Sequence, residues 1–223
     1  MKRTKLALRA LPDYTRGEEL MNMITHIVGG AMGIGILLLC VLRTALHRNA
    51  IGIVASSIYG VSMVALYTMS SVYHGLRPGM GKKVMQVIDH CTIYFLIAGT
   101  YTPVVLCGLR PMFPALAWSL LGVEWGLAIL AVVLTAIDLR SYRVFSMICY
   151  IGMGWGIILF IPQAMEAISS PGFWLLFAGG IAYTIGAILY GVGSKKRWMH
   201  SVFHIFVVLG SLLQFLSIFL YML

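Results

Sequence analysis

Seven apolar runs constrain this chain more than any other feature: residues 22–42, 51–73, 86–107, 113–136, 143–162, 172–192 and 199–222. A helix needs about 20 mostly apolar residues to cross the hydrocarbon core of a bilayer. Each run meets that length, so the pattern predicts an all-α membrane protein with seven transmembrane helices. The connections are short: RTALHRNA, HGLRPGMGKK, GLRPMF, DLRSYR, QAMEAISSPG and VGSKKRW. They leave no room for a soluble domain. The expected organisation is a tail over residues 1–21 and a single transmembrane domain over 22–223.

Composition agrees with burial in lipid. Hydrophobic residues make up 60% of the chain and charged ones 10%, against about 25% charged in an ordinary soluble domain. The net charge of +9 does not point to nucleic acid, because the cations lie between apolar runs and form no basic, aromatic-interleaved stripe. Cys40, Cys91, Cys107 and Cys149 are scattered, mostly inside apolar runs, with no CxxC pair. They are expected to behave as small buried apolar residues, not as a disulfide framework. The basic start, MKRTKLALRALPDYTRGEEL, is too broken to be a signal-peptide core, so no cleavage is expected. No soluble protein partner is evident.

Charge bias sets the orientation. Thirteen of the sixteen Lys and Arg fall on the side holding the N-terminus: Lys2, Arg3, Lys5, Arg9, Arg16, Arg77, Lys82, Lys83, Arg140, Arg143, Lys195, Lys196 and Arg197. Arg43, Arg48 and Arg110 fall on the other. Positive loops stay in the cytoplasm. The N-terminus is therefore expected inside and the C-terminus outside, in the cell's inner (plasma) membrane.

On this topology the ionisable residues collect at one end. His26 opens the first span, His74 closes the second, Asp89 and His90 open the third, and His200 and His204 open the last. All lie in one depth band on the cytoplasmic side. Only His47 among the histidines lies elsewhere. His200 and His204 begin about 5–10 Å below Arg197, at 1.5 Å per residue. Their i, i+4 spacing puts both imidazoles on one helix face, as in helices that give two histidines to one metal. Ser70 and His74 share the same spacing. A third histidine from another helix would complete three ligands plus water, the open arrangement of catalytic zinc. Asp89 could hold that water, accept its proton or orient a ligand. The competing readings are interfacial histidines without a metal, and a proton relay through the same residues; intramembrane ionisable groups are functional by default.

Other features read more plainly. Gly29 and Gly33 form a GxxxG suited to close helix packing. Pro103 and Pro162 are expected to kink their helices. Glu124 lies in mid-span, with Gln214 a candidate partner by depth.

Three motifs carry a resemblance: EELMNMITH at 18–26, SSVYH followed by VIDHCTIYFLIAGTYTP, and HSVFH opening the last span. Together, over nearly the whole chain, they resemble the bacterial hemolysin III family, also called membrane homeostasis proteins, within the progestin and adipoQ receptor superfamily. The resemblance implies seven helices with a cytoplasmic N-terminus. It also implies a zinc ion near the inner leaflet on His74, His200 and His204, with Asp89 beside the zinc-held water and Ser70 nearby. Glu19, Asn22 and His26 match the bacterial motif without an assigned role, and His90 is neighbouring structure. Receptor members have a long cytoplasmic N-terminal domain and an extracellular ligand; with neither that domain nor long outer loops, a receptor role is not expected here.

Three functions remain at this stage. One is a zinc-dependent hydrolase of lipid amides or esters, acting on membrane lipids, as the superfamily's likeness to alkaline ceramidases implies. The second is a non-enzymatic membrane regulator or a cytolytic pore, against which the apolar outer half weighs. The third is a structural metal site without turnover.

Overall fold

The first helix begins earlier than hydropathy suggests, and side-chain chemistry explains why. Thr15 Oγ1 accepts from Glu18 N–H, and the Glu18 carboxylate accepts from Thr15 N–H, a reciprocal cap. Such a box satisfies two of the four free N–H groups at a helix start. In the computed structural model, which describes residues 4–192 and 196–223, α1 therefore runs Arg16–Leu46, six residues ahead of the apolar run. At 31 residues it is about 46 Å long, longer than the roughly 30 Å hydrocarbon core of a bilayer.

The remaining helices are α2 (Ala50–Gly75), α3 (Met80–Pro103), α4 (Pro114–Ile137), α5 (Arg143–Gly154), α6 (Ile161–Ile168), α7 (Ser170–Val192) and α8 (Met199–Tyr221). Counting α5 and α6 as one broken span, seven segments are long and apolar enough to cross a membrane. Among the described residues there is no strand. Lys2, Arg3 and Lys195, three cations of the orientation argument, lie outside the described residues.

Neighbours in sequence pack as neighbours in space: α1 on α2, α2 on α3, α3 on α4, α7 on α8, with α8 closing back onto α1. Helix α3 is the central one, since 78% of its most apolar stretch is buried, against 50% or less for the others. The core around it includes Tyr59, Met63, Tyr67, Val105, Leu109 and Phe173. Leu38, Leu42, Ile129, Leu130, Val144 and Ile148 face outward, as a lipid-facing surface requires. Buried hydroxyls join the helices where no water is at hand. Tyr67 Oη donates to Ser211 Oγ at 2.8 Å, tying α2 to α8. Tyr94, Thr135 and Ser146 join α3, α4 and α5 at 3.0 and 3.2 Å.

The two prolines act differently from simple kinks. Pro103 ends α3, and a π-helical stretch, Val104–Leu109, follows it; a ring without an N–H loosens the backbone ladder at that point. In the fifth span the break lies upstream of Pro162. Helix α5 stops at Gly154, a 3₁₀ stretch runs Gly156–Phe160, and Pro162 sits in the first turn of α6. Proline is tolerated there because first-turn N–H groups have no partner anyway. Irregular backbone at membrane depth needs partners from inside the protein. Tyr101 supplies one, its Oη accepting from Ile157 N–H at 2.9 Å.

Glu124 faces this break and is 2% exposed. Among the described residues no hydrogen bond joins it to Gln214, the partner expected from depth; its Oε2 has no partner. The reason is geometric: Gln214 packs on Gly179 of α7, while Glu124 turns toward Gly156.

Candidate metal centre

Three imidazoles converge where α2 ends and α8 begins. His200 Nε2 lies 3.3 Å from His74 Nε2 and 3.0 Å from His204 Nε2. Each of these histidines offers a ligand atom within 4.8 Å of the others, so the group could hold a metal ion. His74 is buried, and His204 is 1% exposed.

The outer nitrogens explain why the inner ones are free. His74 Nδ1 lies 2.6 Å from Glu19 Oε2, and His204 Nδ1 lies 3.2 Å from the Asn22 carbonyl. Both of these partners can only accept, so both Nδ1 atoms carry the proton; the Asn22 amide, 3.5 Å from His74 Nδ1, is too distant to compete with Glu19. The Nε2 atoms of His74 and His204 are then bare lone pairs, both aimed at His200 Nε2. His200 carries one proton when neutral and can satisfy at most one of them. A cation satisfies all three. Zinc holds imidazole nitrogens at about 2.0–2.1 Å in a tetrahedron, which sets neighbouring nitrogens about 3.4 Å apart, close to the 3.0 and 3.3 Å observed. The donor set and its spacing thus suit a metal ion held by three imidazoles.

The first turns of α1 organise this centre. Glu19 accepts from His74 with one carboxylate oxygen and from Lys82 Nζ, at 2.7 Å, with the other. Lys82 is itself buried, and it also donates to the Leu76 carbonyl. Asn22, one turn on, accepts from Ser201 Oγ at 2.6 Å through its side chain. Glu18 reaches α8: its Oε1 accepts from Trp198 N–H at 2.7 Å. Trp198 has φ 67°, a left-handed conformation costly for a bulky residue. The Glu18 carboxylate holds that turn and so fixes where His200 begins its helix.

His26 stacks on His204 with ring centroids 3.7 Å apart, and neither of its nitrogens finds a partner. It is a packing surface for a ligand and does not belong to the converging set. His90 Nδ1 lies 2.8 Å from the Gln86 carbonyl, turned to its own helix. Asp89 and Ser70 line the same cavity as His200 and His204. That cavity, about 810 Å³, runs from these polar groups along Leu66, Leu96, Phe173, Leu176 and Val207 to Gln214. Over the N-terminal side, the Tyr14 ring stacks on His200 at 5.0 Å. Burial, then Tyr190 and Glu19, push its phenol up, so Tyr14 stays neutral.

This geometry gives meaning to the sequence comparisons. A family described as Haemolysin-III related matches residues 14–215. The chain belongs to that family. It is 39% identical over 206 residues to hemolysin-3 of Bacillus cereus, covering 92% of each chain. It is 36% identical over 208 residues to a hemolysin-3 homolog of Bacillus subtilis (strain 168), covering 93% of this chain and 96% of the other. A human relative, monocyte to macrophage differentiation factor, is 24% identical over 173 residues, 74% of this chain and 69% of the other.

For this haemolysin-III related chain, the structure brings together the three histidines singled out in the sequence. It sets Asp89 and Ser70 on the adjoining cavity wall. Sequence reasoning missed the work of Glu19, Asn22, Lys82 and Tyr14. The signal for the first two was present: T-R-G-E at 15–18 is a capping box, and a helix from Arg16 puts Glu19, Asn22 and His26 on one face at i, i+3 and i+7.

Proposed function

We propose that this protein is a zinc-dependent hydrolase of lipid amides or esters, in the inner (plasma) membrane, with its N-terminus and metal site toward the cytoplasm. His74, His200 and His204 hold the ion, and membrane lipids are the substrates. The observation that carries the reading is the convergence of bare Nε2 lone pairs at the polar end of an apolar cavity. Three protein nitrogens with an open position is the catalytic pattern, whereas closed four-ligand sites are structural. Bound there, zinc would polarise a carbonyl and bring the pKa of a ligated water to about 7.

The chain's own residues do the rest. Glu19, held by Lys82, fixes the ring orientation of His74, and the Asn22 carbonyl fixes that of His204. The apolar cavity wall takes the acyl chain and keeps bulk water from it. Hydrolysis adds water across the C–N or C–O bond: hydroxide goes to the acyl carbon and a proton to the departing nitrogen or oxygen. Asp89 takes that proton from water and returns it to the leaving group, and Ser70 orients the carbonyl. The thirteen cations of the N-terminal side draw anionic lipid toward this face.

The test compares purified wild type with His204→Ala in liposomes, reading zinc content and release of free fatty acid. Wild type should carry a single zinc per chain and release fatty acid; the variant should lose both. Normal turnover in metal-free His204→Ala would overturn the assignment. Dose-dependent release of a trapped dye would favour a cytolytic role instead.

A further inference from the structure

The segment before α1 crosses the N-terminal face of the metal centre, and polar bonds pin it at three places. At its start, Thr4 N–H donates to Asp138 Oδ2 at 2.7 Å, and Arg9 lies 3.6 Å from the same carboxylate. In the middle, Lys83 Nζ donates to the Ala7 carbonyl at 2.6 Å. At its end, Arg197 Nη1 donates to the Asp13 carbonyl at 2.7 Å. These partners come from the α4–α5 connection, from α3 and from the turn before α8. The segment therefore bridges the elements around the cavity mouth.

Its attachment is unlike core packing. Leu8 is 76% exposed and Leu6 and Leu11 are only half-buried, so no fully buried apolar side chain anchors residues 4–14. Arg9, by contrast, is 6% exposed and bonds the Ile137 carbonyl at 3.3 Å. Residues Arg9–Tyr14 all line the cavity. Tyr14, last before the α1 cap, lies flat on His200, with rings 19° from parallel, and 5.9 Å from His74. One phenol thus covers the His200 ring and tilts toward the His74 ring, at the polar end of the cavity.

We propose that residues 9–14 are a lid on the three-histidine centre, and that Tyr14 is a specificity-determining residue. Its ring closes the centre to water-borne molecules and leaves approach through the membrane cavity, so the site selects amphiphiles already inserted in the bilayer. The consequence for substrate choice depends on the zinc-hydrolase reading; the cover itself does not.

Water-soluble diethyl pyrocarbonate, followed by mass spectrometry of His200, tests the cover on metal-free protein. Exposed His47 at the far end is the internal reference. Removing a covering side chain shifts a local opening equilibrium, so Tyr14→Ala should raise His200 modification by about tenfold, with His47 unchanged. Tyr14→Phe keeps the stacked ring and should behave as wild type. Asp138→Asn releases the remote attachment without touching the centre, and it should raise His200 modification in the same direction even if Tyr14→Ala fails to fold. Equal His200 rates in wild type, Tyr14→Ala and Asp138→Asn would overturn the lid. In zinc-loaded protein, a water-soluble chelator should strip metal faster from Tyr14→Ala, while a membrane-soluble chelator should not distinguish it from wild type; equal sensitivity to both would overturn the selectivity. A protein that binds no zinc yet shows the labelling contrast would refute the metal reading and leave the lid standing.

Discussion

The buried Lys82 ammonium pairs with the half-buried Glu19 carboxylate at 2.7 Å, and through it a cation on α3 sets the orientation of a histidine on α2. Removing Glu19 would leave the buried Lys82 charge uncompensated, and removing Lys82 would free Glu19 from the position in which it holds His74. Partners behind a metal ligand are typically worth 10–100-fold in metal affinity. Lys82→Met should therefore weaken zinc binding by about 10–100-fold, measured by competition with a chromophoric chelator. Glu19→Gln should do the same, because a neutral amide is a poorer acceptor for His74 Nδ1–H. Wild-type affinity in Lys82→Met would show that His74 needs no such support.

A second prediction separates packing from ligation. His26 lies flat on His204, yet both of its nitrogens are buried without a partner. An unsatisfied buried polar group costs about 1–3 kcal/mol. His26→Phe keeps the stacked ring and removes that cost, so the variant should retain its metal and melt at the same temperature or higher. His204→Phe, one ring away, should lose the metal. Loss of zinc in both would make His26 a ligand.

The seven spans were legible because lipid demands long apolar runs. His200 and His204 were legible from their i, i+4 spacing and depth, whereas His74, at the same depth as His26 and His90, was singled out only by the family resemblance. Lys82 was not: in sequence it is one more loop cation, and only the start of α3 at Met80 turns its side chain inward to Glu19. Glu19 itself was assigned to the tail, since hydropathy cannot see a helix turn built by a Thr15–Glu18 cap. Glu124 was recognised as costly, but its place opposite the break at Gly154–Gly156 depends on how α5 unwinds, which Pro162 alone did not locate.

Close approach of α1 and α2 yields a third prediction. A Cβ added at Gly60 would lie 2.5 Å from Leu37 Cβ and 2.7 Å from Leu37 Cα. Backbone cannot yield as a side-chain tip can, so the helices must separate. Gly60→Ala should cost about 1–3 kcal/mol, the range for overpacking, and lower the melting temperature in detergent. Gly35 on the same helix pair has nothing within 4 Å of the added carbon. Gly35→Ala should be neutral or stabilising, by up to about 1 kcal/mol. Equal effects at both positions would show that the helix contact is not set by Gly60.

The attachment of residues 4–9 should depend on pH in a defined direction. The Thr4 N–H foremost, with the Ser141 N–H, holds the Asp138 carboxyl well below the usual carboxylate range. A carboxylate depressed in the folded state contributes stability that is fully present above its unfolded value, about 3.9, and is lost as pH falls through the folded value. Amide exchange of residues 4–9, corrected for intrinsic rates, should therefore stay flat from about pH 8 to 5 and rise only below about pH 4. Asp138→Asn should exchange faster throughout and show no such acid limb. Loosening between pH 7 and 6 would place the controlling group among the histidines rather than at Asp138.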